Sequence, residues 1–199
     1  MQVTKIILIT FVLFAAFKTN AVTLEEGVHY ERVSTLPSER KFVSVYFNYG
    51  CPGCYKSESL VKQVKSALPK DVQLEHVPFE NNPSWKIYVQ AFFIADMLKL
   101  REKMHEVIFH RIHVEKKPIG NLEQLKTLFV ANGADPKRFD QAAKSFQLDS
   151  KEKQARQNAV ANRILSTPTF VVNDRFRLNA NQFKSNKELV DAILELINR

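Results

Sequence analysis

The chain is short of the residues that dominate non-globular proteins. Among 199 residues there are only five glycines and eight prolines, which excludes a collagen-like or linker-dominated chain. There are two cysteines, too few for a disulfide scaffold. Acidic residues are also in deficit: 21 Asp and Glu stand against 29 Lys and Arg, for a formal net charge of +8. No long apolar run follows residue 17, so no later segment reads as a membrane span. What is present, 45% hydrophobic and 25% charged residues, suits a single folded core and argues against disorder.

The first 21 residues read as a secretory signal peptide. Lys5 ends a short positive region, Ile6 to Phe17 is almost unbroken apolar sequence, and Thr19-Asn20-Ala21 ends in a small residue. Twelve apolar residues fall short of the roughly 20 needed to span a bilayer, and no cysteine near Ala21 offers a lipid anchor. Cleavage after Ala21 removes Lys5 and Lys18 and no acid, lowering the net charge from +8 to +6. Export also places the thiols in a compartment where disulfides persist.

Both cysteines lie in Cys51-Pro52-Gly53-Cys54. As a structural staple this pair is poor, because so short a loop yields about 2 kcal/mol in the chain-entropy description. As a zinc site it supplies two ligands where four are usual. His110 and His113 have helical spacing but nothing in the sequence ties them to the cysteines, so no metal is expected, and His105, His110 and His113 read as decoration of helix faces.

The flanks favour redox chemistry. Lys41 to Phe47 is β-branched and aromatic, as in a buried strand. Asn48-Tyr49-Gly50 is a short turn. Leu60, Val61, Val64 and Leu68 then repeat at helical spacing until Pro69. Cys51 thus stands where a strand gives way to a helix, with Pro52 suited to the first helical turn. Free N–H groups and the helix dipole there favour a thiolate, so Cys51 is the expected nucleophile and Cys54, one turn in, the more buried resolving thiol. Far downstream, Ser166 to Asn173 reads as a loop, Pro168 and a strand, with Asp174 to Leu178 as its hairpin partner.

With these residues in view, the chain resembles the DsbA family of exported thiol:disulfide oxidoreductases, within the thioredoxin superfamily. The resemblance runs through Glu25 to Val33, Phe47 to Tyr55, Glu75 to Phe79, Ser166 to Asn173 and Phe176 to Asn179. It implies an α/β, thioredoxin-like fold with a helical domain inserted into it. Residues 22–83 and 151–199 would form the first part and residues 84–150 the second. The sequence allows this, since helical periodicity dominates from Ser84 to Leu165. Separate helices are expected over Trp85–Leu98, Met104–Val114, from Leu122 to an Asn132-Gly133 cap, from Asp135-Pro136 onward, and from Ser150 to about Leu165. Glu188 to Ile197 reads as a C-terminal amphipathic helix.

The resemblance also implies roles. Cys51 matches the attacking cysteine and Cys54 the resolving one, forming a Cys51–Cys54 disulfide when oxidised. Pro52 and Gly53 match the tuning dipeptide between them. Pro168 matches a cis-proline, and Thr167 the residue whose backbone binds substrate peptide. Glu58 matches an acidic position linked to proton movement, and a solvated helix glutamate is the equal alternative; His76 matches a strand histidine near the site. The activity implied is donation of a disulfide to reduced or unfolded exported proteins in the periplasm, with reoxidation by a DsbB-like membrane protein linked to quinone. No bound cofactor, no nucleic-acid partner and a monomer are implied. Gly53 replaces the histidine of the best-known members, and Val45 replaces a buried acid. The expectation is an activated Cys51 in a less oxidising couple. A reductase or isomerase using the same site, and a non-catalytic chaperone or binding module with Tyr49 and Tyr55 as exposed aromatics, remain the alternatives.

Overall fold

The computed structural model describes residues 23–36, 38–80 and 82–199. The expected signal peptide lies outside the described residues. Five strands form one sheet: β1 (Tyr30–Arg32), β2 (Phe42–Phe47), β3 (Gln73–Pro78), β4 (Thr169–Val172) and β5 (Phe176–Leu178), in spatial order β1-β5-β4-β2-β3. Only β2 and β3 pair in parallel; β2–β4, β4–β5 and β1–β5 are antiparallel. The parallel pair is bridged by α1 (Pro52–Ala67), as a crossover between parallel strands requires.

β2 is central, and all six of its residues are buried. That explains its almost wholly apolar sequence, with Ser44 the one small polar residue: a strand covered on both faces has no solvent side to mark with polar residues. Its side chains divide between two cores. Val43 and Val45 join Val61 and Val64 of α1 and, from α7 (Asn186–Leu196), Leu189, Ile193 and Leu196. Tyr46 and Phe47 join a second core built largely from the helices between β3 and β4. Each large apolar side chain taken fully out of water contributes roughly 1.5–3 kcal/mol before entropy is charged against it.

Those helices are α2 (Lys86–Met97), α3 (Arg101–His113), α4 (Leu122–Ala131), α5 (Pro136–Ala143) and α6 (Phe146–Ala161). Side-chain caps set several starts. Asn121 accepts from the Gln124 N–H at 2.9 Å, and Asp135 from the Arg138 N–H at 2.8 Å. Such a cap contributes about 1 kcal/mol. Gly133, at φ +99, ends α4 in the left-handed conformation that glycine favours. One helix start differs from expectation. Ser145, not Ser150, caps α6, accepting from the Leu148 N–H at 3.2 Å. Ser150 lies inside that helix, which therefore runs across the expected 150/151 division. The other helices and the closing hairpin form as expected. In the hairpin turn Asn173 and Asp174 both take positive φ (55 and 50), and the Arg175 N–H returns to the Val172 carbonyl at 3.0 Å.

Among the described residues no helix is long and apolar enough to cross a membrane.

Candidate active site

The turn between β2 and α1 is fixed from several sides. Asn48 accepts the Gly50 N–H at 2.9 Å through its side-chain oxygen and donates its amide to the Phe79 carbonyl at 2.9 Å. Its own carbonyl accepts the Cys51 N–H at 3.1 Å. His113 of α3 reaches the Tyr49 carbonyl at 2.7 Å. Gly50 is a steric necessity, since a Cβ there would meet the Trp85 indole nitrogen at 2.8 Å and Tyr88 at 3.0 Å. Tyr49 is 1% exposed. The expectation of an exposed Tyr49 is therefore corrected, because its ring packs edge-on against Phe47, His105 and Phe109. Tyr55 is exposed as expected, and it stacks on His113 with ring centroids 4.9 Å apart.

Cys51 is the N-cap of α1, and its sulfur accepts the Cys54 N–H at 3.3 Å. A thiol thus takes the place that Ser or Asp usually fills at a helix start. Pro52 occupies the first turn, where its missing donor costs nothing. No acidic side chain lies in that turn to oppose a thiolate. Pro52 and Gly53 are exposed, whereas both cysteines are buried. The pair is present as two free thiols.

Thr167 and Pro168 approach from the other end of the sequence. The Thr167–Pro168 peptide is cis, and the Cys51 thiol lies 3.4 Å from the Thr167 carbonyl. Pro168 also lies beside Gly53, whose hypothetical Cβ would sit 3.4 Å from the proline Cδ and 3.7 Å from the Cys51 sulfur. Cys51, Cys54, Pro52, Gly53, Thr167 and Pro168 are thus brought together.

The two thiols share one proton unequally. Hydrogen bonding from the Cys54 thiol, against the opposing cost of burial and with further help from Thr167 and the backbone N–H groups of Cys54 and Gly53, lowers the Cys51 pKa from 9.0 to about 5. The Cys54 pKa is raised, first by its hydrogen bond to Cys51 and then by burial. Cys51 is accordingly the thiolate at neutral pH, and Cys54 keeps its proton.

Glu58 and His76 belong to a second cluster further along α1. The Glu58 carboxylate accepts from His105 Nε2 at 3.2 Å, and the other nitrogen of His105 meets the Tyr49 hydroxyl at 3.1 Å. His76, on β3, faces His105 with ring centroids 4.9 Å apart and packs edge-on against Phe47. Burial, followed by the charge of His105, pushes the His76 pKa down to about 4, so this imidazole is neutral at pH 7. Val45 is 1% exposed and pairs with His76 across the β2–β3 ladder. His105 and His113 are thus not surface decoration: they anchor the site turn from α3, whereas His110 is exposed and pairs with Glu115. Their spacing in the sequence gave no sign of this, because contact with Tyr49 arises only when α3 folds back over α1.

The comparisons agree with this geometry. The family model of the DSBA-like thioredoxin domain matches residues 88–191, a stretch that begins after the cysteine pair and ends in α7. The thiol:disulfide interchange protein DsbA of Haemophilus influenzae is 30% identical over 164 residues, covering 80% of this chain and 78% of its own length. That of Azotobacter vinelandii is 30% identical over 143 residues, covering 72% of this chain and 66% of its own. The crystal structure of Pseudomonas aeruginosa DsbA superposes with a TM-score of 0.79 at 26% identity, covering 86% of this chain and 92% of that one. A thiolate-forming Cys-x-x-Cys, a cis-proline loop against it and these relatives converge: the chain belongs to the DsbA family of thiol:disulfide oxidoreductases, with a thioredoxin-like fold carrying inserted helices.

Proposed function

We propose that this oxidoreductase works as an exported disulfide donor, with Cys51 attacked by substrate and Cys54 resolving. The observation that carries the reading is the unequal pair: Cys51 held as a thiolate by donors at a helix start, Cys54 held as a thiol beside it. In the oxidised enzyme Cys51 and Cys54 share a disulfide. A substrate thiolate attacks the Cys51 sulfur, forming a mixed disulfide and expelling the Cys54 thiolate, which takes up a proton. A second substrate thiolate then attacks its partner sulfur in that mixed disulfide and expels Cys51 as a thiolate. The substrate gains one disulfide and the enzyme becomes a dithiol, so two electrons move from substrate to enzyme. A thiolate that is stable is a good leaving group, which favours the second step and the reduced enzyme.

Substrates on this reading are reduced or unfolded exported proteins in the periplasm, docking along the Thr167 backbone beside Pro168. A DsbB-like, quinone-linked membrane protein accepts the electrons. The inserted helices, with α6 counted whole to Ala161, form a unit distinct from the sheet, α1 and α7. The exchange itself needs no cofactor or metal, and the enzyme acts as a monomer.

A Cys54→Ala variant tests the mechanism. The variant has no disulfide of its own, so its Cys51 thiolate attacks disulfides of oxidised exported proteins; with no Cys54 thiol to attack the resulting mixed disulfides, these should accumulate and vanish on reduction. Absence of any trapped species would contradict it. Recovery of reduced against scrambled ribonuclease separates donor from isomerase; faster recovery from the scrambled form would favour the isomerase.

A further inference from the structure

Glu58, His76 and His105 come from three different elements, α1, β3 and α3, yet offer one ligand atom each within 4.8 Å of one another. We propose that this trio is a binding site for one divalent transition-metal ion of the zinc class, built from two imidazole nitrogens and one carboxylate oxygen. Three such ligands leave one coordination position free on a tetrahedral ion.

Three observations support it. First, the Nε2 of His76 is shut off from solvent and has no hydrogen-bond partner among the described residues. A buried, unpaired polar atom is costly, and coordination satisfies it. Second, ligands about 2.1 Å from one tetrahedral ion sit roughly 3.4 Å apart, and the Glu58 oxygen and His105 Nε2 already stand 3.2 Å apart. Third, the Tyr49 hydroxyl holds the other nitrogen of His105, the outer hydrogen bond that orients metal-bound histidines.

The cluster opens onto a groove of about 340 Å³. Glu102 and Glu106 join Glu58 there, against Lys62, Lys65 and Arg101. Lys62 pairs with Glu106 and Arg101 with Asp96, so three carboxylates stand against three cations in the lining and two of those cations are paired. An ion at this point ties the helix that carries the cysteines to β3 and α3. Two imidazoles and a carboxylate suit zinc better than calcium or magnesium, which prefer all-oxygen sets.

The test uses the full mature protein, untagged and in its disulfide form, so that the thiols cannot ligate. Zinc chloride is titrated calorimetrically. One equivalent should bind in the micromolar range or tighter. Glu58→Gln and His76→Gln should each weaken binding at least tenfold while His110→Gln leaves it unchanged, with circular dichroism reporting that each variant is folded. Glu58 is partly exposed, so its variant remains informative even if the buried His76 substitution prevents folding. Cobalt substitution should give visible bands without thiolate charge transfer. Binding that is absent in the disulfide form, or unaltered in folded Glu58→Gln, overturns the site. Either failure leaves the exchange mechanism untouched, since that is read with the thiols and without metal.

Discussion

The first turn of α1 and its second turn are both polar, yet they are finished differently. At the first turn the Cys54 thiol and the backbone N–H groups of Cys54 and Gly53 favour a negative Cys51. At the second turn Glu58, His105 and Tyr49 form a chain of hydrogen bonds that stops short of His76. One site is complete as it stands and holds an anion. The other has a neutral imidazole left over, facing a carboxylate cluster suited to a cation. Helix position explains the contrast, because free N–H groups exist only at the N-terminus. Beyond it, polar groups need partners from other elements, here α3 and β3.

The largest effect is expected from removing the sulfur. Cys51→Ser should reduce oxidative refolding of reduced ribonuclease to the uncatalysed rate, while the Glu58–His105 pair and the fold remain. A variant retaining activity would mean that the first turn is not where exchange happens.

Next comes the pH dependence of the reduced protein. The folded Cys51 pKa lies at about 5 against 9.0 for the ordinary thiol. Stabilisation by the thiolate is therefore fully present above about pH 9 and is lost as the pH falls through about 5. Cys54, with its pKa raised, stays protonated in folded and unfolded chains up to about pH 8 and opposes the gain only as the unfolded thiol begins to ionise towards 9.0. Denaturation midpoints from pH 5 to 9 should rise for the reduced form relative to the oxidised one, with a limiting slope of about 1.4 kcal/mol per pH unit. A gap that stays constant would contradict the low pKa.

A smaller loss is expected when the turn that aims Cys51 is forced apart. Gly50→Ala should destabilise the fold by about 1–3 kcal/mol, since Trp85 and Tyr88 must move; thermal melts measure it. The smallest change is Gly53→His. Its Cβ fits at ordinary contact distance, so the fold should persist. A donor near Cys51 should make the couple more oxidising, as titration against glutathione would register.

Legibility in the sequence followed the same divide. Strand β2, the start of α1 and Pro168 were readable because local signals carry them: a β-branched and aromatic run, a Cys-x-x-Cys before helical spacing, and a proline before a strand. Tyr49 was not, since a tyrosine between Asn48 and Gly50 looks like an exposed loop until α3 covers it. His105 and His113 were missed for the same reason, being tens of residues from the cysteines they help position. The start of α6 was misplaced because Phe146 is exposed and the buried positions Leu148, Glu152, Ala155 and Ala159 leave little apolar contrast.

The central claim is that Cys51 and Cys54 divide one proton between them, with Cys51 as the thiolate. Alkylation of the reduced protein across pH, with each cysteine quantified by peptide mass spectrometry, tests it directly. The account predicts that Cys51 reacts with a midpoint near pH 5 while Cys54 stays unmodified through neutral pH. A Cys51 midpoint near 9, or modification of Cys54 first, would contradict it.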